Sequence, residues 1–323
     1  MHDVDRQILE ARGARNQLDP FRAYGAFVES ERTITGEHVD IATILITNRE
    51  CPFRCLMCDL WQNTTETTVP PGAIPEQIRH ALKKLPQARQ IKLYNAGSFF
   101  DPGAIPMADW QAIAAIVESF DRVIVEAHPR YINERCFNFA ELIRGTLEVA
   151  IGLETIDPEV LPRLNKQMTV HDFDQAVRQL REHGIDSRAF ILIRAPYQTE
   201  DEGLHWAKAS IDHAFEAGVG TCTLIPTRAG NGIMDKLQRE GEFSPPGLKS
   251  IYESFRHGLQ TKRGRTFLDL WDMESWLSCS DCLQAWISKF ESMNRSQEIE
   301  PPVTCHCGQM SLGDLTENQH GKA

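Results

Sequence analysis

Three cysteines stand in one short stretch of the sequence, ECPFRCLMCDLW, as Cys51, Cys55 and Cys58. The C-x3-C-x2-C spacing supplies three thiolates from a single loop, whereas a structural zinc site or a fully ligated iron–sulfur cluster uses four protein ligands. A cluster held by three cysteines leaves one iron without a protein ligand, and that iron can bind and activate a small molecule. The spacing therefore predicts an open iron–sulfur site. The alternatives are a zinc site completed by a distant histidine, or three incidental cysteines.

Four further cysteines form two pairs near the C-terminus, Cys279 and Cys282 as C-x2-C and Cys305 and Cys307 as C-x-C. Four thiolates make a complete tetrahedral set, so we expect a structural zinc that ties this region to the rest of the fold. An auxiliary [4Fe-4S] cluster is the alternative for the same four ligands. With seven of nine cysteines in these two groups, metal ligation is favoured over disulfides.

The overall composition limits the classes of partner. A formal net charge of -11 argues against bulk electrostatic capture of nucleic acid or of an anionic membrane, although a local basic groove remains compatible with it. The N-terminal residues are charged and mixed, without the apolar core of a signal peptide, and no long apolar segment occurs. We therefore expect a cytoplasmic protein without a membrane partner.

Apolar runs alternate with helical patterns along the chain. Six runs are typical of buried parallel strands: 41–47, 91–94, 123–126, 147–154, 187–193 and 220–226. Helical patterns lie between and after them, at 75–85, 108–120, 137–143, 169–182, 204–217 and 244–258, and residues 266–271 are a candidate seventh strand. Alternating strands and helices predict an α/β fold with a parallel sheet. Because six units are fewer than the eight of a closed barrel, we expect a partial (β/α)6 barrel.

The most unusual residues follow the ends of these strands, where working residues gather in such folds. YNAGSFFD ends the second strand, VEAHPRYI the third and IGLET the fourth, while an arginine follows the fifth. A carboxylate at such a position is costly unless a cation or a hydrogen-bond donor accompanies it. The candidate cofactor-binding residues are Asn95, Ala96, Gly97, Ser98, Glu126, Glu154 and Arg194.

Together these motifs resemble those of the radical S-adenosylmethionine (SAM) superfamily. Residues 41 to about 235 are most similar to its Elongator catalytic-subunit branch, and within that branch to the radical SAM subunit of archaeosine synthase. The stretches YNAGSFFD, IGLETIDPEVLPRLNK and IPTRAGNG carry this likeness. The resemblance implies that Cys51, Cys55 and Cys58 hold a [4Fe-4S] cluster whose free iron chelates SAM. It further implies reductive cleavage of SAM to a 5′-deoxyadenosyl radical, which abstracts a hydrogen atom from the substrate.

The same resemblance implies roles for the strand-end residues. The backbone of residues 95–98 would hold the methionyl amino group, Glu126 would face the cationic side of SAM, and Glu154 would accept the ribose hydroxyls. Arg194 has three alternatives: a partner for Glu154, a ligand of the cofactor carboxylate, or a ligand of an acidic substrate.

The substrate stays open between tRNA, as in the archaeosine synthase family, and a small molecule or peptide. The reaction on it, lyase or transferase, is also open, and we expect a reductant protein such as a flavodoxin or ferredoxin. A zinc-stabilised, non-catalytic binding protein is the alternative function. The predicted organisation is an N-terminal helical extension (1–40), the radical SAM partial barrel (41–262), a C-terminal Cys-rich metal-binding extension (263–308) and a disordered tail (309–323).

Overall fold

The computed structural model describes residues 3–273 and 280–303 of the chain. The strands in this part are β1 (Gly25–Arg32), β2 (His38–Ile46), β3 (Asn48–Arg49), β4 (Thr64–Thr65), β5 (Gln90–Asn95), β6 (Arg122–Glu126), β7 (Thr146–Glu154), β8 (Asp186–Ile193), β9 (Thr221–Pro226) and β10 (Arg265–Leu268). The helices are α1 (Asp3–Ala11), α2 (Ala73–Leu82), α3 (Trp110–Ile116), α4 (Glu134–Leu142), α5 (Val170–Glu182), α6 (Glu200–Ala217), α7 (Ile233–Glu240), α8 (Leu248–Thr261) and α9 (Ser280–Ser296).

Eight of these strands form one curved sheet in the order β1-β2-β5-β6-β7-β8-β9-β10. All neighbours from β2 to β10 pair in parallel, so the six predicted strands and the candidate seventh are confirmed. The sheet is the partial barrel that the sequence predicted. Its side chains alternate: Ile91 and Leu93 of β5 pack toward the helices, while Tyr94 joins a small inner cluster with Ile41 and Ile124.

Capping residues mark the ends of helices α5 and α6. Thr169 and Asp172 form a reciprocal capping box at the start of α5, and Thr199 and Glu202 do the same for α6. The left-handed φ of +106° at Gly218 ends α6. Within the described residues, no helix combines the length and apolar character needed to cross a bilayer.

The predicted N-terminal helical extension over residues 1–40 is wrong for residues 25–32. This segment forms β1, which pairs antiparallel with β2 along eight residues from Gly25↔Leu45 to Arg32↔His38. Its sequence, GAFVESER, lacks the apolar run of a buried strand because β1 lies at the edge of the sheet. Only Asp3–Ala11 is helical in the described part of the predicted extension.

A buried network of charges fills the inner side of the barrel near the N-terminal ends of the strands. Arg188, 2% exposed, donates to both carboxylate oxygens of Glu31 at 3.0 and 2.7 Å and to Glu148 at 2.8 Å. Lys92 donates to Glu31 and, at 2.8 Å, to Glu29. Burial would raise the pKa of Glu31, but the charges of Arg188 and Lys92 outweigh it and hold that pKa far below its usual value. The charged groups of this network therefore pair with one another and fill this end of the barrel.

Helix α9 covers the free edge of β10. The side-chain amide of Asn294 donates to Leu268 O at 2.9 Å and accepts from Leu268 N at 2.8 Å. Gln297 makes the same pair of bonds with Thr266, at 2.8 and 2.9 Å. These two side chains pair with the edge of β10 as a further strand would. The helix also lies against β1, so it bridges the two edges of the sheet.

This helix begins within the first C-terminal cysteine pair and ends before the second, where the sequence analysis predicted no helix. Cys282 stands in its first turn and is partly buried. Cys279, Cys305, Cys307 and the predicted disordered tail lie outside the described residues. The zinc or auxiliary-cluster site and the domain bounds therefore stay predictions.

Candidate iron–sulfur and cofactor site

The loop that carries the three cysteines follows β2 and β3 at the C-terminal end of the parallel strands. Two asparagine side chains hold its backbone. Asn165 donates to Arg54 O at 2.7 Å, and Asn231 donates to Leu56 O at 2.8 Å and to Cys58 O at 3.1 Å. Neither asparagine was predicted, because each acts through a main-chain contact that depends on tertiary structure. The loop is therefore fixed from two distant parts of the chain.

The structure brings the three thiols of this loop together. Burial raises the pKa of Cys51, Cys55 and Cys58 to about 12 each, and a second cysteine of the group adds to each shift. The charge of Cys58 acts on Cys51, that of Cys51 on Cys55, and that of Cys55 on Cys58. The metal-free thiols are therefore protonated at neutral pH, and a metal that binds them must displace these protons.

Three cysteine thiols on one loop have the donor chemistry of an iron–sulfur cluster. Within residues 3–273 and 280–303, no three His, Cys, Asp or Glu side chains gather around one metal-ion position. A [4Fe-4S] cluster requires a different arrangement, since each thiolate binds its own iron.

The second-strand motif packs directly against this loop. Gly97 has a φ of +152°, and a Cβ built on it would lie 3.3 Å from Cys51 Cβ and 3.7 Å from Asn95 Nδ2. The amide of Asn95 is buried, and neither its Nδ2 nor its Oδ1 has a hydrogen-bond partner among the described residues. Ala96 is buried too. Ser98 Oγ accepts a hydrogen bond at 2.9 Å from the backbone N–H of His128. An unpaired buried amide beside the cysteine loop is what a bound polar ligand would satisfy.

Glu126 ends β6 and faces the barrel interior. Burial raises its pKa to about 8; the charge of Lys166 opposes this shift and that of Glu154 contributes to it. Tyr24, which precedes β1, is close enough to Glu126 and Cys58 for their charges to raise its pKa in addition to the effect of burial. Tyr24 was not predicted because its segment carries no motif; the pairing of β1 with β2 places it at the barrel mouth.

Glu154 lies at an irregularity of β7. The register with β8 shifts between Gly152 and Glu154, and Glu154 has a φ of +64°. This conformation brings its Oε1 to Lys166 Nζ in a buried ion pair. A Cβ at Gly152 would overlap both Glu154 Oε1 and Lys166 Nζ, so glycine is required for the pair to occupy this space.

Lys166 is a further residue of the site that sequence reasoning missed. Burial alone would lower its pKa, but the charges of Glu154 and Cys55 outweigh burial and raise it. The signal was available in principle, because a buried glutamate needs a cation. The sequence analysis considered Arg194 as that cation. In the structure, a short 3-10 turn after β7 places Lys166 beside Glu154 instead.

Arg194 follows β8, with a φ of +56°, and the structure does not bring it to Glu154. Its Nη1 donates to Glu200 Oε2 at 2.6 Å and to Pro245 O at 2.9 Å. Its guanidinium therefore joins the start of α6 to the segment before α8.

His128 connects the cysteine loop with the Lys166 segment. Its ring stacks on Phe53 at 3.9 Å between centroids, and its Nε2 lies 2.9 Å from Lys166 O. Because Nδ1 accepts from the backbone N–H of Arg130, the proton is on Nε2 and is donated to Lys166 O. Burial, followed by the charge of Lys166, lowers the pKa of His128 to about 4, so the ring is neutral.

Comparison with known proteins gives a consistent result. The family model of the radical SAM superfamily matches residues 45–209. An archaeosine synthase subunit beta from Thermococcus kodakarensis is 27% identical over 209 residues, which cover 62% of this chain and 64% of that protein. The corresponding subunit from Methanosarcina acetivorans is 23% identical over 238 residues, covering 69% and 68%. An uncharacterized protein from Methanocaldococcus jannaschii is 23% identical over 227 residues, covering 65% and 62%. The chain thus spans less than two thirds of the length of two of these relatives.

Solved structures show the same fold. Elp3 from the archaeon Methanocaldococcus infernus, without residues 1–46, superposes with a TM-score of 0.55 at 15% identity, covering 78% of this chain and 63% of that one. Methylornithine synthase (PylB) gives 0.50 at 13% identity, covering 84% and 73%. The family match extends over more than half of the chain and includes the cysteine loop and strands β5 to β8. On that match, this chain is a member of the radical SAM superfamily.

Proposed function

We propose that this protein cleaves SAM reductively at a [4Fe-4S] cluster bound by Cys51, Cys55 and Cys58, and directs the resulting 5′-deoxyadenosyl radical to a hydrogen atom of its substrate. The observation that supports the proposal is the set of three thiols on one loop, which Asn165 and Asn231 hold at the mouth of a partial barrel with a polar interior. Bound cluster and SAM supply the radical chemistry, while the protein binds, orients and shields them.

In this proposal, residues at different strand ends bind different groups of SAM. We assign residues 95–98 to the methionyl group, because the unpaired Asn95 amide and the close approach of Gly97 to Cys51 border the same space. Glu126 faces the sulfonium and ammonium side, where a cation would favour its ionised form. Lys166 orients Glu154 through Oε1 and leaves the other carboxylate oxygen to accept a ribose hydroxyl.

Arg194 acts less directly in this proposal. Its guanidinium is already bonded to Glu200 and Pro245 O, and reaching a cofactor would break both contacts. We therefore assign it the task of positioning the loop after β8 around the SAM pocket.

The substrate would enter the barrel interior, where Tyr94 and Phe190 meet edge to face at 6.1 Å above the charged network. Two substrate classes remain candidates. The relatives named archaeosine synthase subunit beta favour a tRNA nucleoside, with a second subunit supplying the nucleic-acid contacts that an acidic chain lacks. The net charge of -11 favours a small molecule or peptide.

The proposal is tested with anaerobically reconstituted protein, SAM and dithionite, with 5′-deoxyadenosine measured by mass spectrometry. Cys55→Ala should abolish its formation because it removes a cluster ligand. Cys136→Ala is the matched control, since Cys136 is a buried cysteine of α4 that packs in the hydrophobic core. Cleavage at the wild-type rate by Cys55→Ala contradicts the assignment.

Metal content tests the alternative function in the same preparation. The proposal requires about four irons per chain at the three-cysteine loop. A chain that binds zinc at this loop, contains no iron and leaves SAM intact would instead be a zinc-stabilised binding protein.

A further inference from the structure

Four arginines lie on or against the cysteine loop. Arg49 and Arg54 belong to the segment 49–54, the side chain of Arg15 pairs with Glu50, and the guanidinium of Arg130 lies 5.2 Å from the ring centroid of Phe53. These four, Arg15, Arg49, Arg54 and Arg130, are called the basic patch below. A local concentration of arginine is unexpected in a chain whose net charge is -11.

The two carboxylates that pair with the basic patch are mostly covered, and one exposed carboxylate, Asp172, lines the same cavity as Arg130. The side chains of Arg15, Arg49 and Arg54 are 29%, 39% and 27% exposed, and Arg130 is exposed as well. Of the paired carboxylates, Glu50, which also binds Arg12 at 2.7 Å, is 12% exposed, and Asp101 is 7% exposed. The four arginines outnumber these three carboxylates, which leaves a net positive surface.

The basic patch contacts the backbone and Phe53 of the cysteine loop. Arg54 Nη1 is 3.3 Å from the carbonyl oxygen of Cys51. Phe53, which lies under Arg130, is between Cys51 and Cys55 in the chain. A protein bound to the basic patch would therefore rest against the backbone that carries two of the three proposed cluster ligands.

We propose that the basic patch is the docking surface for an acidic one-electron carrier protein that reduces the cluster. This inference rests on the proposed function, which requires one electron for each SAM that is cleaved. The carrier loses that electron and the cluster gains it, and no atom or proton passes between them. Opposite surface charges steer such an encounter and align the carrier with the loop.

The size and position of the basic patch favour a carrier protein over RNA. Four arginines around a six-residue segment form a compact area, whereas RNA and DNA are held by basic surfaces that follow the phosphate backbone over many contacts. The excess negative charge of the rest of the chain would also repel an extended polyanion, but it leaves a small acidic protein free to approach this one face.

The test uses the full-length reconstituted protein and the charge-reversal variants Arg49→Glu, Arg130→Glu and their combination. Arg144→Glu is the matched control, because Arg144 is an arginine with a 79% exposed side chain that precedes β7 at the opposite end of the barrel. Two readouts are compared: the KM of reduced flavodoxin in 5′-deoxyadenosine formation, and the rate with dithionite, a small reductant that needs no docking surface. Binding of oxidised flavodoxin is measured separately by biolayer interferometry at low and high salt.

The double variant should raise the KM and the Kd for flavodoxin about tenfold, with the difference shrinking at high salt, while the dithionite rate stays within about twofold of wild type. The control should match wild type in all readouts. Unchanged flavodoxin binding by the double variant overturns the inference. An equal loss of activity with dithionite also overturns it, because the arginines would then be needed at the cluster itself. A wild-type protein that forms no 5′-deoxyadenosine with dithionite refutes the proposed function, whereas the binding measurement still decides the docking surface.

Discussion

Replacing Lys166 with Met removes the positive member of the Glu154–Lys166 pair and keeps the volume of the side chain. Both side chains are only 9% exposed. The substitution leaves the Glu154 carboxylate buried beside Glu126, with no cation to compensate it. We therefore expect Lys166→Met to destabilise the metal-free protein strongly at neutral pH.

Two considerations set the expected loss of unfolding free energy in Lys166→Met. Removing one member of a buried ion pair typically costs about 3–5 kcal/mol. The variant can instead protonate the remaining carboxyl, and for an ordinary glutamate with a pKa near 4.3 this costs about 3.7 kcal/mol at pH 7 and about 1 kcal/mol at pH 5. The loss of unfolding free energy should therefore be about 3–4 kcal/mol at pH 7 and about 1 kcal/mol at pH 5.

Urea unfolding of the metal-free, reduced protein, followed by circular dichroism at both pH values, measures this loss. Glu154→Gln combined with Lys166→Met removes both charges and should recover the stability to within about 1.5 kcal/mol of wild type. Lys236→Met is the matched control, since Lys236 pairs with Glu240 on the surface, with both side chains about half exposed. Its effect should stay below about 0.5 kcal/mol.

Two results would refute this reasoning. If Lys166→Met costs as little as Lys236→Met, the pair does not stabilise the fold. If the loss at pH 5 equals the loss at pH 7, an uncompensated carboxylate is not its cause, and altered packing at the Met side chain would explain it.

Four further predictions concern other parts of the structure. Gly152→Ala should displace the buried ion pair and lower the unfolding free energy by about 2 kcal/mol in the same urea assay, because a Cβ there overlaps both charged groups. Burial raises the pKa of Glu126 to about 8, so its destabilising effect in the metal-free protein grows from about pH 4.5 to pH 8. Glu126→Gln should accordingly raise stability at pH 8.5, on the order of 2 kcal/mol after allowance for partial exposure, and leave it unchanged at pH 4.5. Asn294→Leu should lower the melting temperature and promote aggregation, since it removes both bonds to Leu268. Cys282→Ser should remove about one zinc per chain and lower stability while SAM is still cleaved; about eight irons and no zinc in wild type would instead indicate an auxiliary cluster.

The parallel strands could be predicted from sequence because each contributes a run of apolar, β-branched residues to a core on the helix side. The run at 41–47 and the observed β2, His38–Ile46, differ only at their ends. The edge strand β1 could not be predicted in this way. Its inward residue Glu31 is paired with Arg188, which is 157 residues away in the chain. No local pattern carries that information.

The site shows the same division between local and tertiary information. The cysteine loop and the acids at the strand ends stand out because their types and spacing are unusual in themselves. Lys166, Asn165 and Asn231 are ordinary residues in the sequence. Their roles depend on where the fold places one ammonium group and two side-chain amides. Only the structure shows these positions.

The amide contacts between α9 and β10 have a consequence for protein engineering. A shortened protein that ends after β10, at about residue 273, would retain the strands of the barrel and lose the side chains of Asn294 and Gln297. The backbone groups of Thr266 and Leu268 would then be open to pairing with the same edge of another molecule. We therefore expect Asn294 and Gln297 to protect the barrel from edge-to-edge aggregation as well as to stabilise it. Crystallisation and display formats of this protein should keep α9.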